Sequence, residues 1–404
     1  MRATFTVFAA LFLLGSVAAC TKERPRPFRI QSLVPEGREG FEVALFQTTG
    51  SKLVPGHALE LVNDGRVFDV IADDIRKAQR SVHIVTFIWR PGQASNKVLD
   101  ALLERARAGV TCRVLVDPLG SKHFEKEVQP KLESAGCKSH FFRPFPANEN
   151  VARNHRKIVI VDGKVGITGG FGIHDVWLGD ADSKDEWRDT NVRVHGPAVV
   201  EMQQAFAENW QEASGELLPR EDFPWLEHDA NCRESHGADA TFVTSTPNPE
   251  VTNAERVTQL MVQAARKRLW ISQSYFTPNA VLKEMLSARA RAGVDVRVVA
   301  AGDQNDQPQM KVIQRTSYDE LLPAGVQIWE YIPSMMHSKT MLIDDDVVVI
   351  GSINYDVFSF KYLEEGTLVA RDPELARALE SSFLLDVQRS KQVNAQAKRQ
   401  ARSR

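Results

Sequence analysis

The sequence predicts an α/β fold built twice: two tandem α/β repeats, each a mostly parallel sheet flanked by helices, with the active site at the interface between the halves. Three observations carry that prediction. Segments with strand and helix periodicity alternate along most of the chain. The landmark Arg-Ala-Gly-Val occurs at residues 107–110 and again at 291–294. A His-x-Lys pair, followed by an apolar run and an aspartate, starts at His155 and again at His337, 182 residues later. From the landmark valines to these histidines is 45 residues in one half and 43 in the other, so one whole unit is repeated.

The chain has 404 residues, 43% of them hydrophobic, which suffices for two cores. Its net charge of −2 lacks the basic footprint of a general nucleic-acid binder, and no nucleic acid is expected as partner. Residues 1–20 read as a targeting segment. Arg2 opens it, and an apolar run too short to span a bilayer leads to Val17-Ala18-Ala19-Cys20. That ending resembles the lipobox of a bacterial lipoprotein signal, which implies lipidation at Cys20 and a place in the cell envelope. An ordinary signal peptide is the other reading. Residues 21–40, polar and proline-bearing, read as a tether.

The first repeat is expected over residues 41–213. Residues 43–46 suggest a strand, and Val67, Val70, Ile71 and Ile75 mark a helix over 65–78. A buried strand follows at 81–89, a helix at 96–108, a strand at 111–116, a helix near 125–135 and a strand at 138–142. The second repeat, 241–388, runs in the same order. It has a helix at 254–266, a strand at 269–275, a helix at 280–292, a strand at 295–300, a short helix at 318–322 and a strand at 326–331. Residues 214–240 connect the halves, and 389–404 form a basic tail suited to anionic headgroups or to a solvated helix end. Cys112 and Cys137 fall on neighbouring strands and suit either a disulfide or buried thiols; Cys232 lies in a loop. No cysteine or histidine spacing matches a metal site.

The paired motif carries the chemistry. Two residues apart on an extended segment, His155 and Lys157 point to one face, as do His337 and Lys339. The apolar run after Lys157 turns at Asp162-Gly163 and returns as a second strand, a hairpin signal. Asp162 and Asp344 complete each motif and sit where a carboxylate bonds local backbone. Gly169-Gly170 and Gly351-Ser352 lie on the returning strands, where small residues admit substrate or backbone. Cleaving a phosphodiester without metal or cofactor needs a nucleophile, an acid for the leaving alkoxide and positive charge on the non-bridging oxygens. Two imidazoles and two lysines supply all of these.

On these residues the chain resembles the phospholipase D superfamily, in which two His-Lys-Asp motifs meet at one phosphodiester-cleaving site. The resemblance implies a covalent phosphohistidine, with His155 as nucleophile and His337 as acid and later base, although the near-symmetric copies leave the reverse open. Lys157 and Lys339 would bind the phosphoryl oxygens. An acid downstream of each hairpin would hold its imidazole: Asp189 in Trp187-Arg188-Asp189, and Glu365, with Glu364 its competitor. Asn354 matches a phosphate-contacting Asn of the family, and its counterpart in the first repeat is Gly172. Gly169, Gly170, Ser352 and Asn354 together form the expected substrate-binding set.

The wider text, including Asp117, Gly120-Ser121, Thr190, residues 196–199, Tyr275-Phe276-Thr277-Pro278 and residues 351–356, looks like bacterial cardiolipin synthases of the phospholipase D type, over roughly residues 41–385. That implies phosphatidyl transfer from a phospholipid to a lipid alcohol such as phosphatidylglycerol. Hydrolytic phospholipase D, a nuclease of the same superfamily and an inactive lipid-binding envelope protein are the alternatives. Three departures stand out. The usual N-terminal membrane helices give way to the lipoprotein-like signal, Asn191 replaces a usual His, and Phe358 replaces a usual Arg. Phe87, Trp89, Tyr275 and Phe276 end matching strands and suit either a substrate channel or the core. His174, His195 and His236 have no repeat partner.

Overall fold

A computed structural model describes residues 27–144, 152–226 and 237–394. In chain order the first half comprises α1 (Gly37–Thr49), β1 (Val54–Asn63), α2 (Arg66–Lys77), β2 (Ser81–Thr86), α3 (Gln93–Arg107), β3 (Thr111–Val116), α4 (Phe124–Glu127), α5 (Gln129–Ser134) and β4 (Lys138–Phe141). It continues with β5 (Arg153–Asn154), β6 (Ile158–Val161), β7 (Val165–Gly169), β8 (Trp187–Arg188), β9 (Thr190–His195) and α6 (Val199–Ser214). The second half comprises β10 (Ala238–Ser245), α7 (Asn253–Ala264), β11 (Arg268–Gln273), α8 (Ala280–Arg291), β12 (Asp295–Ala301), α9 (Pro308–Leu321) and β13 (Gln327–Tyr331). Then come β14 (Met335–Met336), β15 (Lys339–Ile343), β16 (Val347–Gly351), α10 (Val357–Lys361), β17 (Leu363–Arg371), α11 (Pro373–Gln388) and β18 (Ser390–Gln392).

The repeats build one continuous mixed sheet. From its middle, β1 leads outward through β9, β7, β6, β2, β3 and β4, and β10 through β17, β16, β15, β11, β12, β13 and β18. Antiparallel pairing of β1 with β10 fuses the halves. Within this sheet's main path, parallel pairing is confined to β2–β3–β4 and β11–β12–β13, so the sheet is less parallel than expected. The cause is local. Helical crossovers return strands in parallel, whereas the Asp162-Gly163 turn joins β6 to β7 within a few residues and permits only antiparallel pairing. Each β2 or β11 strand is therefore flanked by a crossover strand on one side and a motif hairpin on the other.

Several sequence expectations are corrected. Residues 43–46 are helical, within α1. Phe41 and Leu45, four apart, bury one face of that helix against the second half's core, and Gly50 in the left-handed conformation ends it. Residues 28–34, assigned to the tether, are docked. Gln259 and Gln263 of α7 bond the backbone of Phe28 and Ile30, Arg29 pairs with Glu284 at 2.7 Å, and Val34 is buried. The helix near 125–135 is two short ones, α4 and α5, broken before Pro130, as expected where a proline ring disfavours the preceding turn. Near 318–322 the short helix is the end of the longer α9. Cys112 and Cys137 are disulfide-bonded. Cys20, Cys232, His236 and the tail beyond residue 394 lie outside the described residues.

Candidate active site

Each motif histidine stands just before a sheet hairpin and just after a two-residue strand. Those two-residue strands cross between halves. β5 pairs with β17, and His155 N donates to Glu364 O at 2.9 Å; β14 pairs with β8, and His337 N donates to Arg188 O at 2.7 Å. Backbone pairing thus delivers each histidine to the acid of the opposite repeat. His155 Nδ1 lies 3.0 and 3.1 Å from the two Glu365 oxygens, and His337 Nδ1 lies 3.0 Å from Asp189 Oδ2. Each half therefore holds the other's imidazole, and neither half contains a complete His–acid pair.

The two acids are held differently. Glu365 accepts the hydroxyls of Ser352 and Ser359. Although burial alone raises its pKa, His155, Lys157 and the Ser352 hydroxyl hold the Glu365 carboxyl below its usual range. Asp189 accepts Trp177 Nε1 at 2.8 Å and Thr190 N at 2.8 Å, and burial pushes it up to about 6. Glu364 is not the His155 partner. Adjacent strand residues face opposite ways, and Glu364 turns to Arg143, Arg156 and Asn209.

Aromatic walls complete the site. Phe87 meets His155 edge-on at 5.3 Å and lies 5.5 Å from Lys157 Nζ. His337 stacks on Trp187 at 4.9 Å and meets Trp177 edge-on at 5.1 Å. Trp89 and Phe276 are fully buried core residues, while Tyr275 is half-buried and donates to Asp306 at 2.7 Å. Asp117 accepts Asn154 N, and Ser121 bonds the Phe87–Trp89 backbone, so this stretch fixes the wall beside His155.

Lys157 Nζ donates to His155 O; Lys339 Nζ donates to His337 O and lies 3.2 Å from His337 Nε2. Burial pushes Lys157 down to about 7 and Lys339 to about 8; the Lys339 charge further lowers Lys157, while Asp189 and Glu365 work against burial at both. Burial also lowers both histidines. Lys157 and Lys339 add to the depression at each. The influence of both lysines on both histidines marks one electrostatic site. No group of three or more His, Cys, Asp or Glu side chains suited to a metal occurs among the described residues.

Gly170 allows the halves to meet. A Cβ there would fall 2.3 Å from Asp189 Oδ1 and 2.7 Å from His337 O, and one at Gly169 would fall 2.2 Å from Asn191 Oδ1. Ser352, the equivalent of Gly170, spends its hydroxyl on Glu365. Asn354 is buried, and its Oδ1 accepts Ser274 Oγ at 2.6 Å. Gly172 packs against Trp177, where a Cβ would fall 2.9 Å from the ring. Asn191 is buried and accepts Phe171 N, while Phe358 is exposed. His174 Nδ1 accepts Val176 N, and His195 lies on the surface against Trp225.

Asp162 and Asp344 stand at the far ends of their hairpins. Asp162 accepts the N–H groups of Gln79, Arg80 and Ser81, and Asp344 those of Arg266, Lys267 and Arg268. Each carboxylate anchors the chain entering β2 or β11. Asp162→Ala should therefore cost about 2 kcal/mol in a urea titration while activity per folded molecule stays within about twofold. A hundredfold activity loss at unchanged stability would sink this anchoring role.

Trp177, Ser359 and Ser274 were not legible as site residues: Trp177 and Ser359 stand at equivalent positions of the two repeats, 182 residues apart, and each bonds the acid of its own repeat, yet they share no side-chain type that a motif would display. A faint signal existed for Ser359, which lies three residues after the helix-capping Asp356.

Two stretches, residues 71–210 and 259–386, match the family model described as "Cardiolipin synthase, PLD-like domain". Cardiolipin synthase 1 of Bacillus anthracis is 32% identical over 358 residues, covering 85% of this chain and 69% of that protein. For cardiolipin synthase 2 of the same organism the identity is 31%, over 83% of this chain and 65% of the relative. Cardiolipin synthase of Listeria innocua is 31% identical, over 86% and 73%. The chain thus spans about two thirds of the length of the Bacillus anthracis relatives. The crystal structure of phosphatidylserine synthase from Haemophilus influenzae Rd KW20 superposes with a TM-score of 0.65 at 13% identity, covering 87% of this chain and 92% of that one, a likeness of fold.

Proposed function

The chain belongs to the PLD-like cardiolipin synthase family, and we propose that it is a phosphatidyltransferase that moves a phosphatidyl group between lipid alcohols through a phosphohistidine. The observation that carries this reading is the exchange of acids between halves, which fits both imidazoles for work on one phosphate. With Nδ1–H given to ionised Glu365, His155 keeps its lone pair on Nε2 and attacks phosphorus. The P–O bond to the departing alcohol breaks as protonated His337 gives its Nε2 proton to that oxygen. Phosphate arriving between Lys157 and Lys339 adds negative charge beside them, so both ammoniums and the His337 proton are favoured once substrate is bound. The acceptor hydroxyl then returns a proton to His337 and attacks phosphorus, and the P–N bond breaks. Asn354, fixed by Ser274, assists at the phosphoryl oxygens.

The Cys112–Cys137 disulfide supports an oxidising compartment, as the lipobox-like Cys20 does. No helix among the described residues is long and apolar enough to cross a membrane. Lipidation of Cys20 would therefore supply the hold on the envelope membrane.

The test is incubation of purified protein with phosphatidylglycerol vesicles. Cardiolipin formed by the parent and by neither His155→Ala nor His337→Ala supports transfer. Phosphatidic acid as the sole product would replace transfer with hydrolysis, and an untouched lipid would refute both.

A pH dependence follows. A phosphodiester is anionic throughout the range, and it needs protonated lysines, which burial pushes down to about 7 and about 8. Hence kcat/KM should fall as pH rises from about 6.5 to about 9, and Lys339→Ala should shorten that limb while lowering kcat/KM about 100-fold. A flat profile in the parent would contradict the role given to the lysines.

A further inference from the structure

We propose that the outer face of α10, formed by Val357 and Phe358 together with the C-cap residue Tyr362, is the surface that seats this protein on a phospholipid bilayer with its active site facing the lipid. These side chains are 57%, 57% and 45% exposed, and Phe358 and Tyr362 adjoin, with ring centroids 6.3 Å apart. Soluble surfaces carry single apolar residues without consequence, but two on a short helix and a third at its C-cap, beside the candidate site, form a contact patch.

Two further observations fix the occupant. The first is the coupling of α10 to the chemistry. Its inner face carries Ser359, whose hydroxyl donates to Glu365, the acid that holds His155. A surface gripping α10 therefore holds the helix that supplies a hydrogen bond to the acid behind His155. The second is where the N-terminal segment emerges. The described chain begins at residue 27, and Arg256 on α7 lies 4.8 Å over the Phe28 ring. One turn before Arg256, at the N-cap of α7, Thr252 donates to Phe360 O of α10 at 2.7 Å. Cys20 is eight residues before Phe28, a reach of at most roughly 30 Å. An acyl anchor there would draw the α10 face, rather than the distant edges of the sheet, toward the membrane.

The proposal rests on the reading of the site as acting on phospholipid, and its test reads binding rather than turnover. Full-length protein carrying Cys20→Ser, which removes any lipid anchor, is titrated with vesicles of phosphatidylglycerol and phosphatidylethanolamine and compared with the same chain carrying Val357→Ser and Phe358→Ser. The pair of substitutions should weaken vesicle binding at least tenfold and leave the melting midpoint within about 2 °C, because both side chains already face solvent. Phe358→Trp should keep or tighten binding. Equal binding by parent and double variant would overturn the proposal. So would a parent that dimerises in solution and becomes monomeric on losing the patch with vesicle binding unchanged, since a second copy would then be the occupant. A parent that binds vesicles through α10 yet turns over no phospholipid would refute the proposed activity and leave this surface standing.

Discussion

His155→Ala is expected to abolish phosphatidyl transfer, lowering kcat by about four orders of magnitude or more, because no other group replaces its covalent role. His337→Ala should cost about 10²–10⁴-fold on a natural phospholipid, the range for loss of a general acid. An activated donor separates the two. With a p-nitrophenyl ester of phosphatidic acid the leaving group needs no proton. His337→Ala should then release about one equivalent of nitrophenolate in a burst and stall, while His155→Ala releases none. A burst from His155→Ala and silence from His337→Ala would reverse the assignment. That outcome is chemically coherent, since the copies differ little. What favours His155 is its partner. Glu365 accepts two hydroxyls and is held below its usual range, whereas Asp189, with two N–H donors, is lifted by burial to about 6, and this difference supports His155 as the nucleophile.

Glu365→Gln and Asp189→Asn should each lower kcat by about 10²–10⁴-fold with the fold intact, because an amide can present its NH2 to Nδ1 and so leave the imidazole in the wrong tautomer. The exchange between halves makes the assignment specific. Glu365→Gln, although in the second repeat, should suppress the nitrophenolate burst that depends on His155 of the first. Asp189→Asn, in the first repeat, should preserve the burst and slow the second step through His337. The burst amplitude and the following rate read these effects separately. If each substitution instead crippled the step assigned to its own repeat's histidine, the crossed pairing of Glu365 with His155 and Asp189 with His337 would be wrong.

The difference between what the sequence displays and what it hides follows from range. Local chemistry was legible: the Asp162-Gly163 hairpin, the alternation that puts Lys157 beside His155, and the helical spacing of Val67, Ile71 and Ile75, each buried in the structure. Duplication was legible because it repeats local text. Pairing across the halves was not. Both acids follow a hairpin of their own repeat, and only the β5–β17 and β14–β8 ladders carry each histidine to the opposite one. The β1–β10 seam that fuses the sheet was likewise invisible, since strand partners far apart in the chain leave no spacing to read. Residues 43–46 misled because Phe41 and Leu45 share a helical face with the second repeat, a surface that short-range alternation does not report.

The most direct test of the account is to trap the intermediate. His337→Ala, mixed with the activated phosphatidyl donor and quenched in base, should carry one phosphatidyl group as an alkali-stable phosphoramidate. Peptide mass spectrometry should place it on His155. Label on another residue, or a full burst with no label on the protein, would contradict covalent transfer through this site.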